Sequence, residues 1–302
     1  MCGIFGSIGK GADFGALRTL ALANAERGNE AIGFFGSDGK IWKRAQSPID
    51  ALTGNKLNKY LAGAEGNGLW FVAGHTRHGT RGHNVRENAH PFRYGNIVGA
   101  HNGIVGAPTT YAVDSMYLID AIHQAEGDYQ KALGDVSGYW GLVWTDGAGL
   151  YLQAHNNCLA ICKVGDVYYF SSDYKHLKAA LGNIEYHAFT EGETMRLSIN
   201  AAGGIDTANL KALECRGAWM EWDSRTQGGG RGRYIGFKNS GTSTGSGKYH
   251  DSATSDPFEA SDPDSEYAAL MGLKDRDPWN DVPDYDERWQ DAWREYVGEY
   301  AD

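Results

Sequence analysis

Residues 1–222 of this 302-residue chain read as one α+β domain whose strands pair antiparallel. Three observations carry that reading. Short apolar runs near 138–145, 149–154, 158–163 and 167–172 follow one another at hairpin spacing, parted by turn pairs such as Asp146-Gly147 and Gly165-Asp166. Segments of helical periodicity interrupt the earlier strand candidates. At about residue 223 the composition shifts to Gly, Ser, Thr and acidic residues, which marks the end of the packed domain.

In chain order, residues 3–8 and 31–35 are short apolar strands with glycines beside them. Between them Phe14, Leu17, Leu20 and Ala21 follow helical spacing. A second helix is expected over 49–62, then strands over 69–74 and 96–101. A third helix over 114–125 places Leu118, Ile119 and Ile122 on one face. The hairpin strands follow, then a helix over 174–181 and a strand over 193–198. Residues 223–284 read as a flexible linker, Gly/Ser-rich around Gly228-Gly229-Gly230 and 239–247 and acidic and disordered after 251. Residues 285–302 read as an amphipathic helix with Tyr285, Trp289, Trp293, Tyr296 and Tyr300 on one face.

The net charge of −10 is mostly a property of the tail: residues 223–302 carry −8 and the domain only −2. No clustered basic face suggests nucleic acid. No run of about 18 apolar residues suggests a membrane span, and no signal peptide is visible, so a cytoplasmic protein with reduced thiols is expected. Cys158 and Cys162 lie in the apolar run 158–162 and read as core strand residues.

The cysteine of most interest is Cys2, in Met1-Cys2-Gly3-Ile4-Phe5-Gly6. If Met1 is removed, Cys2 carries a thiol and a free α-amine. The amine titrates near 7.7–8.0, about right to accept the thiol proton near neutral pH. A nucleophile activated by an adjacent amine is an established catalytic device. Further segments carry polar chemistry: Glu26-Arg27-Gly28-Asn29-Glu30-Ala31-Ile32-Gly33, Gly74-His75-Thr76-Arg77-His78-Gly79-Thr80-Arg81-Gly82, Asn88-Ala89-His90-Pro91-Phe92, His101-Asn102-Gly103 and Asp114-Ser115. A thiolate attacking an amino-acid amide needs oxyanion donors, which a side-chain amide beside a backbone N–H supplies at Asn102-Gly103. It needs a fork for an α-carboxylate, which Arg77 offers, and an anion for an α-ammonium, which Asp114 offers. Each has a plainer reading: Asp114 as a helix N-cap, Arg77 as a surface ion pair, Asn102-Gly103 as a hairpin turn.

Taken together and in this order, these motifs resemble the glutaminase domain of class II glutamine amidotransferases, the N-terminal-nucleophile group. The resemblance covers about residues 2–200 and rests on six ordered motifs. It implies a four-layer αββα sandwich of the N-terminal-nucleophile hydrolase type. It implies Cys2 as nucleophile with its own amine as base, Asn102 and Gly103 as oxyanion hole, Arg77 and Thr80 at the glutamine carboxylate end, Asp114 at its amine, and Arg27 ordering the Cys2 loop. His78 stands where the family commonly has Trp and Arg81 where it commonly has His, a departure that touches substrate gating and the route of ammonia. His75 and His101 belong to the motifs, so no metal and no cofactor are expected. Nothing after residue 222 resembles an acceptor domain. The expected function is therefore release of ammonia from glutamine through a Cys2 thioester, supplied to a separate protein on which the tail docks. The alternatives are a free-standing γ-glutamyl amide or peptide hydrolase, and a non-catalytic module on this fold.

Overall fold

The computed structural model describes residues 2–53, 68–79 and 82–215. Thr80, Arg81, the later part of the expected 49–62 helix, the 223–284 linker and the 285–302 helix lie outside these described residues.

The described strands are β1 (Gly3–Ile8), β2 (Ala31–Gly36), β3 (Ile41–Arg44), β4 (Phe71–Arg77), β5 (Phe92–Tyr94), β6 (Ile97–Val105), β7 (Gly138–Thr145), β8 (Leu150–His155), β9 (Ala160–Val164), β10 (Val167–Ser171), β11 (His187–Ala188), β12 (Thr194–Ile199) and β13 (Ile205–Asn209). They form two sheets, in the orders β11-β9-β10-β1-β4-β2-β3 and β13-β12-β8-β7-β6-β5. Neighbouring strands in both sheets pair antiparallel, as between β1 and β4, where Gly3 faces Thr76 and Ile4 faces His75.

Period-two alternation explains how the layers stack. On β1, Ile4 points into the core between the sheets and Phe5 points outward. On β7, Val143 points between the sheets while Leu142 and Trp144 point outward. Both faces are buried, so these strands appear in sequence as unbroken apolar runs. The helices Phe14–Asn24 and Tyr174–Leu181 cover the first sheet through Leu17, Leu20 and Leu177, against Phe5, Phe34 and Val72. The helix Asp114–Gln124 covers the second through Leu118, Ile119 and Ile122, against Trp140 and Trp144. The result is the αββα sandwich.

Local signals set the helix starts. Asp13 accepts from the Gly15 N–H at 2.7 Å and Asp173 from the Lys175 N–H at 2.9 Å. Each satisfies a backbone donor that a helix N-terminus leaves unpaired. One edge of the sandwich is strapped. Lys43 on β3 crosses to the other sheet, donating to the carbonyls of Ala89 at 2.8 Å and of Glu87 and Pro91 at 3.3 Å. Burial among these groups lowers its ammonium to about 8, and the Arg86 charge adds to the shift.

Two expectations change. Asn102-Gly103 is not a hairpin turn: both residues lie inside β6, opposite Gly141 and Trp140. Of the two cysteines assigned to the core, Cys162 is buried on β9, but Cys158 is exposed ahead of that strand. Burial raises the Cys162 thiol to about 11. Among the described residues no helix is long and apolar enough to cross a membrane.

Candidate active site

Cys2 stands at the entrance of β1, beside the exit of β4. The β1–β4 register puts Gly3 opposite Thr76, so Cys2 meets the chain as it leaves Arg77. The His78 N–H donates to Cys2 Sγ at 3.4 Å, and Sγ donates to the His78 carbonyl at 3.4 Å. Arg27 Nε donates to the Cys2 carbonyl at 2.9 Å and its Nη1 lies 4.0 Å from Asp173. Arg27 follows the Phe14–Asn24 helix, and the next residue must be Gly28. A Cβ there would stand 2.5 Å from the Arg77 carbonyl carbon, so the turn packs directly on the β4 backbone.

Arg77 is almost fully buried. Its Nη1 lies 3.7 Å from Glu30 Oε2, and its Nη2 donates to the Gly82 carbonyl at 3.3 Å. The same Glu30 carboxylate accepts from the Gly79 N–H at 2.9 Å and meets His78 Nδ1 at 3.2 Å. One carboxylate therefore fixes three successive residues, 77, 78 and 79. Sequence reasoning assigned Glu30 no role. Its only signal was an acidic residue three positions after Arg27.

From the second sheet, β6 delivers His101, Asn102 and Gly103. A Cβ on Gly103 would stand 2.0 Å from the Tyr139 carbonyl, with φ at 153°, so no other residue fits. The backbone can then approach the cleft without a side chain in the way. Asp114 is the first residue of its helix, and the cap position is Val113. Its carboxylate accepts from the Val105 N–H at 3.1 Å and from the Ser115 N–H at 3.0 Å.

Cys2, Arg77, Gly103 and Asp114 line one cleft, closed by His78, His90, His101, Val113 and Ser115. Asn102 is buried beside it rather than in its lining: Nδ2 donates to Ser172 Oγ at 3.1 Å. That hydroxyl also accepts from the Ile4 N–H at 2.8 Å. The cleft measures about 20 Å³. That is room for about one water. Thr80, expected at the carboxylate end, lies outside the described residues.

The electrostatics are divided. Burial pushes the Cys2 thiol above its ordinary value, while the His78 N–H, the amino terminus and Arg77 pull it back. A thiol held up in this way needs a base to react. Three histidines beside it are buried and uncharged. Burial depresses His75 to about 3 and His90 well below the usual range. His101 is lowered by burial against the opposing pull of Asp114. The His75 and His90 rings stack with centroids 3.7 Å apart. His75 Nε2 donates to the His101 carbonyl at 3.0 Å. A carbonyl only accepts, so His75 carries its proton on Nε2 and Nδ1 is bare. Among the described residues no group of three His, Cys, Asp or Glu is placed to hold a metal ion.

No known family profile and no curated relative matches the sequence. Solved structures do match. A glutamine phosphoribosylpyrophosphate amidotransferase from B. subtilis superposes with a TM-score of 0.54 at 18% identity, over 69% of this chain and 49% of its own. A second structure, described as the allosteric regulatory enzyme of purine biosynthesis, gives 0.55 at 18%, over 72% and 51%. The chain thus spans about half the length of these two proteins. At this identity what is shared is the architecture: the chain has the four-layer αββα sandwich fold of these amidotransferases.

Proposed function

We propose that the chain hydrolyses glutamine, releasing ammonia through a thioester on Cys2. The observation that carries this is the meeting of a thiol, a buried cation and an anion in one small cleft: Cys2, Arg77 and Asp114. Free glutamine presents an α-carboxylate, an α-ammonium and an amide, and these three groups complement them. Arg77, with Thr80, takes the carboxylate as a bidentate pair. Asp114 takes the ammonium. After Met1 is removed, the Cys2 amine draws the thiol proton and the sulfur attacks the amide carbon, forming the C–S bond. Asn102 Nδ2 and the Gly103 N–H receive the oxyanion. Collapse breaks the C–N bond, and the nitrogen leaves as ammonia with the proton held by the amine. Water then cleaves the thioester, giving glutamate and the free thiol. Arg27 holds the Cys2 carbonyl still throughout. In this reading residues 1–222 are the catalytic domain. The 223–284 linker carries the 285–302 helix to a separate cytoplasmic protein that consumes the ammonia.

The test is covalent labelling. A diazoketone analogue of glutamine should modify Cys2 and spare Cys158, Cys162 and Cys215. Cys158 is the demanding control because it is exposed. Cys2→Ala should abolish both labelling and ammonia release. An active enzyme whose intact mass retains Met1 would rule out the amine as base.

A further inference from the structure

His90 is nearly fully buried and lines the cleft with Cys2. Neither of its ring nitrogens has a hydrogen-bond partner among the described residues, and nor does His75 Nδ1, on the ring stacked against it. Leaving such groups unpaired in a folded interior costs about 1–3 kcal/mol each, so they call for an explanation. His90 and Cys2 line the same small cleft.

The unpaired inventory is specific. Neutral His90 offers one N–H donor and one bare nitrogen, and His75 offers a second bare nitrogen. Ammonia has three N–H donors, and two of them match the bare nitrogens of His90 and His75, which belong to two stacked rings. We propose that His90, backed by His75, holds the leaving nitrogen of the substrate amide as uncharged ammonia. The inference rests on the glutamine-hydrolysis reading and adds a subsite to it. Imidazoles that stay neutral accept hydrogen bonds from ammonia without protonating it. The nitrogen then remains a nucleophile. Held there, it can also return: it attacks the thioester carbon, the C–S bond breaks, the sulfur regains a proton from the nitrogen, and glutamine reforms.

That return step provides the test. The full-length, Met-processed protein is incubated with glutamine and ¹⁵N-ammonium at pH 8. Mass spectrometry reads ¹⁵N entering glutamine, and glutamate formation reads hydrolysis. Exchange should saturate with ammonia in the wild type. In His90→Phe the ratio of exchange to hydrolysis should fall about tenfold, the loss expected for one hydrogen bond of about 1.4 kcal/mol. His90→Gln, which keeps a donor and an acceptor, should restore most of the ratio. An unchanged ratio in His90→Phe would show that the ring only packs, or holds a structural water. Should His90→Phe not fold, the wild type decides: exchange rising linearly with ammonia, without saturation, overturns the subsite. Exchange that fails while glutamate still forms defeats this inference alone, whereas absence of glutamate formation defeats the glutaminase reading with it.

Discussion

Two sets of residues with opposite electrostatic character stand in and around the cleft. Arg77, Asp114, Glu30 and His78 are ionisable groups held by named partners: Glu30 meets Arg77, His78 and the Gly79 N–H, and Asp114 takes two backbone N–H groups. His75, His90 and His101 are buried more deeply and carry no charge. The difference follows from compensation. An ionised group survives burial only when paired, and an unpaired titratable group gives up its charge instead. In the proposed function, charge stands where a zwitterion's ends would sit and neutrality where an amide would be broken.

The contrast can be tested at three points, in order of expected size. The largest effect should come from the oxyanion donors between the two sets. Asn102→Ala should lower kcat on the order of 10²–10³ with KM for glutamine little moved. If KM rises instead while kcat holds, Asn102 serves only the Ser172 hydroxyl and the oxyanion role belongs elsewhere. Next comes the charged set. Arg77→Lys keeps the charge and loses the fork, so KM for glutamine should rise about 10–100-fold, corresponding to about 1.5–3 kcal/mol for a charged hydrogen bond. Glu30→Gln should raise it in the same direction by less, since Glu30 acts through Arg77. A KM untouched by Arg77→Lys would remove Arg77 from the substrate site.

The smallest test concerns the neutral set and reads stability instead of rate. The unfolded chain protonates His75 near 6.5, whereas the folded chain does so only near 3. Between those values the unfolded state binds more protons, so stability is full above about 6.5 and drains as pH falls. The slope is about 1.4 kcal/mol per pH unit for His75, or about 2 kcal/mol by pH 5. Urea midpoints at pH 7.5 and pH 5 measure it. A flat profile would mean that these rings are not buried as neutral groups.

Much of this was legible in the sequence. The helices over Phe14–Asn24, Asp114–Gln124 and Tyr174–Leu181 announce themselves by period and by Asp13 and Asp173 ahead of two of them. The hairpin strands β7 to β10 stand out because both faces are buried. The missed strands β3, β5, β11 and β13 are short or largely exposed edges, with too few apolar residues to show a period. Strand β4 runs three residues past its expected end, because His75, Thr76 and Arg77 are polar in sequence but buried in the fold. Cys2, Arg77, Gly103 and Asp114, which line one cleft, were legible as ordered motifs. Glu30 was not, because its partners are 47 to 49 positions away in the chain. His90 was visible as a residue, but its lack of partners is a property of three-dimensional packing and leaves no mark in sequence.

The Ser172 hydroxyl has a mechanical consequence. Strand β1, which begins right after Cys2, and strand β6, which carries Asn102 and Gly103, belong to different sheets, and sheets in a sandwich can shear past each other. Ser172 Oγ takes the Ile4 N–H from one sheet and Asn102 Nδ2 from the other, while the Ser172 N–H donates back to the Ile4 carbonyl at 2.8 Å. It works as a dowel pin two residues from Cys2 and at the residue before Gly103. Shear between the layers must therefore be taken up away from this point, toward edge strands such as β13 where the backbone is exposed and opening costs least. The spacing between the Cys2 sulfur and the Asn102-Gly103 segment is thus gauged by the side chain of Ser172.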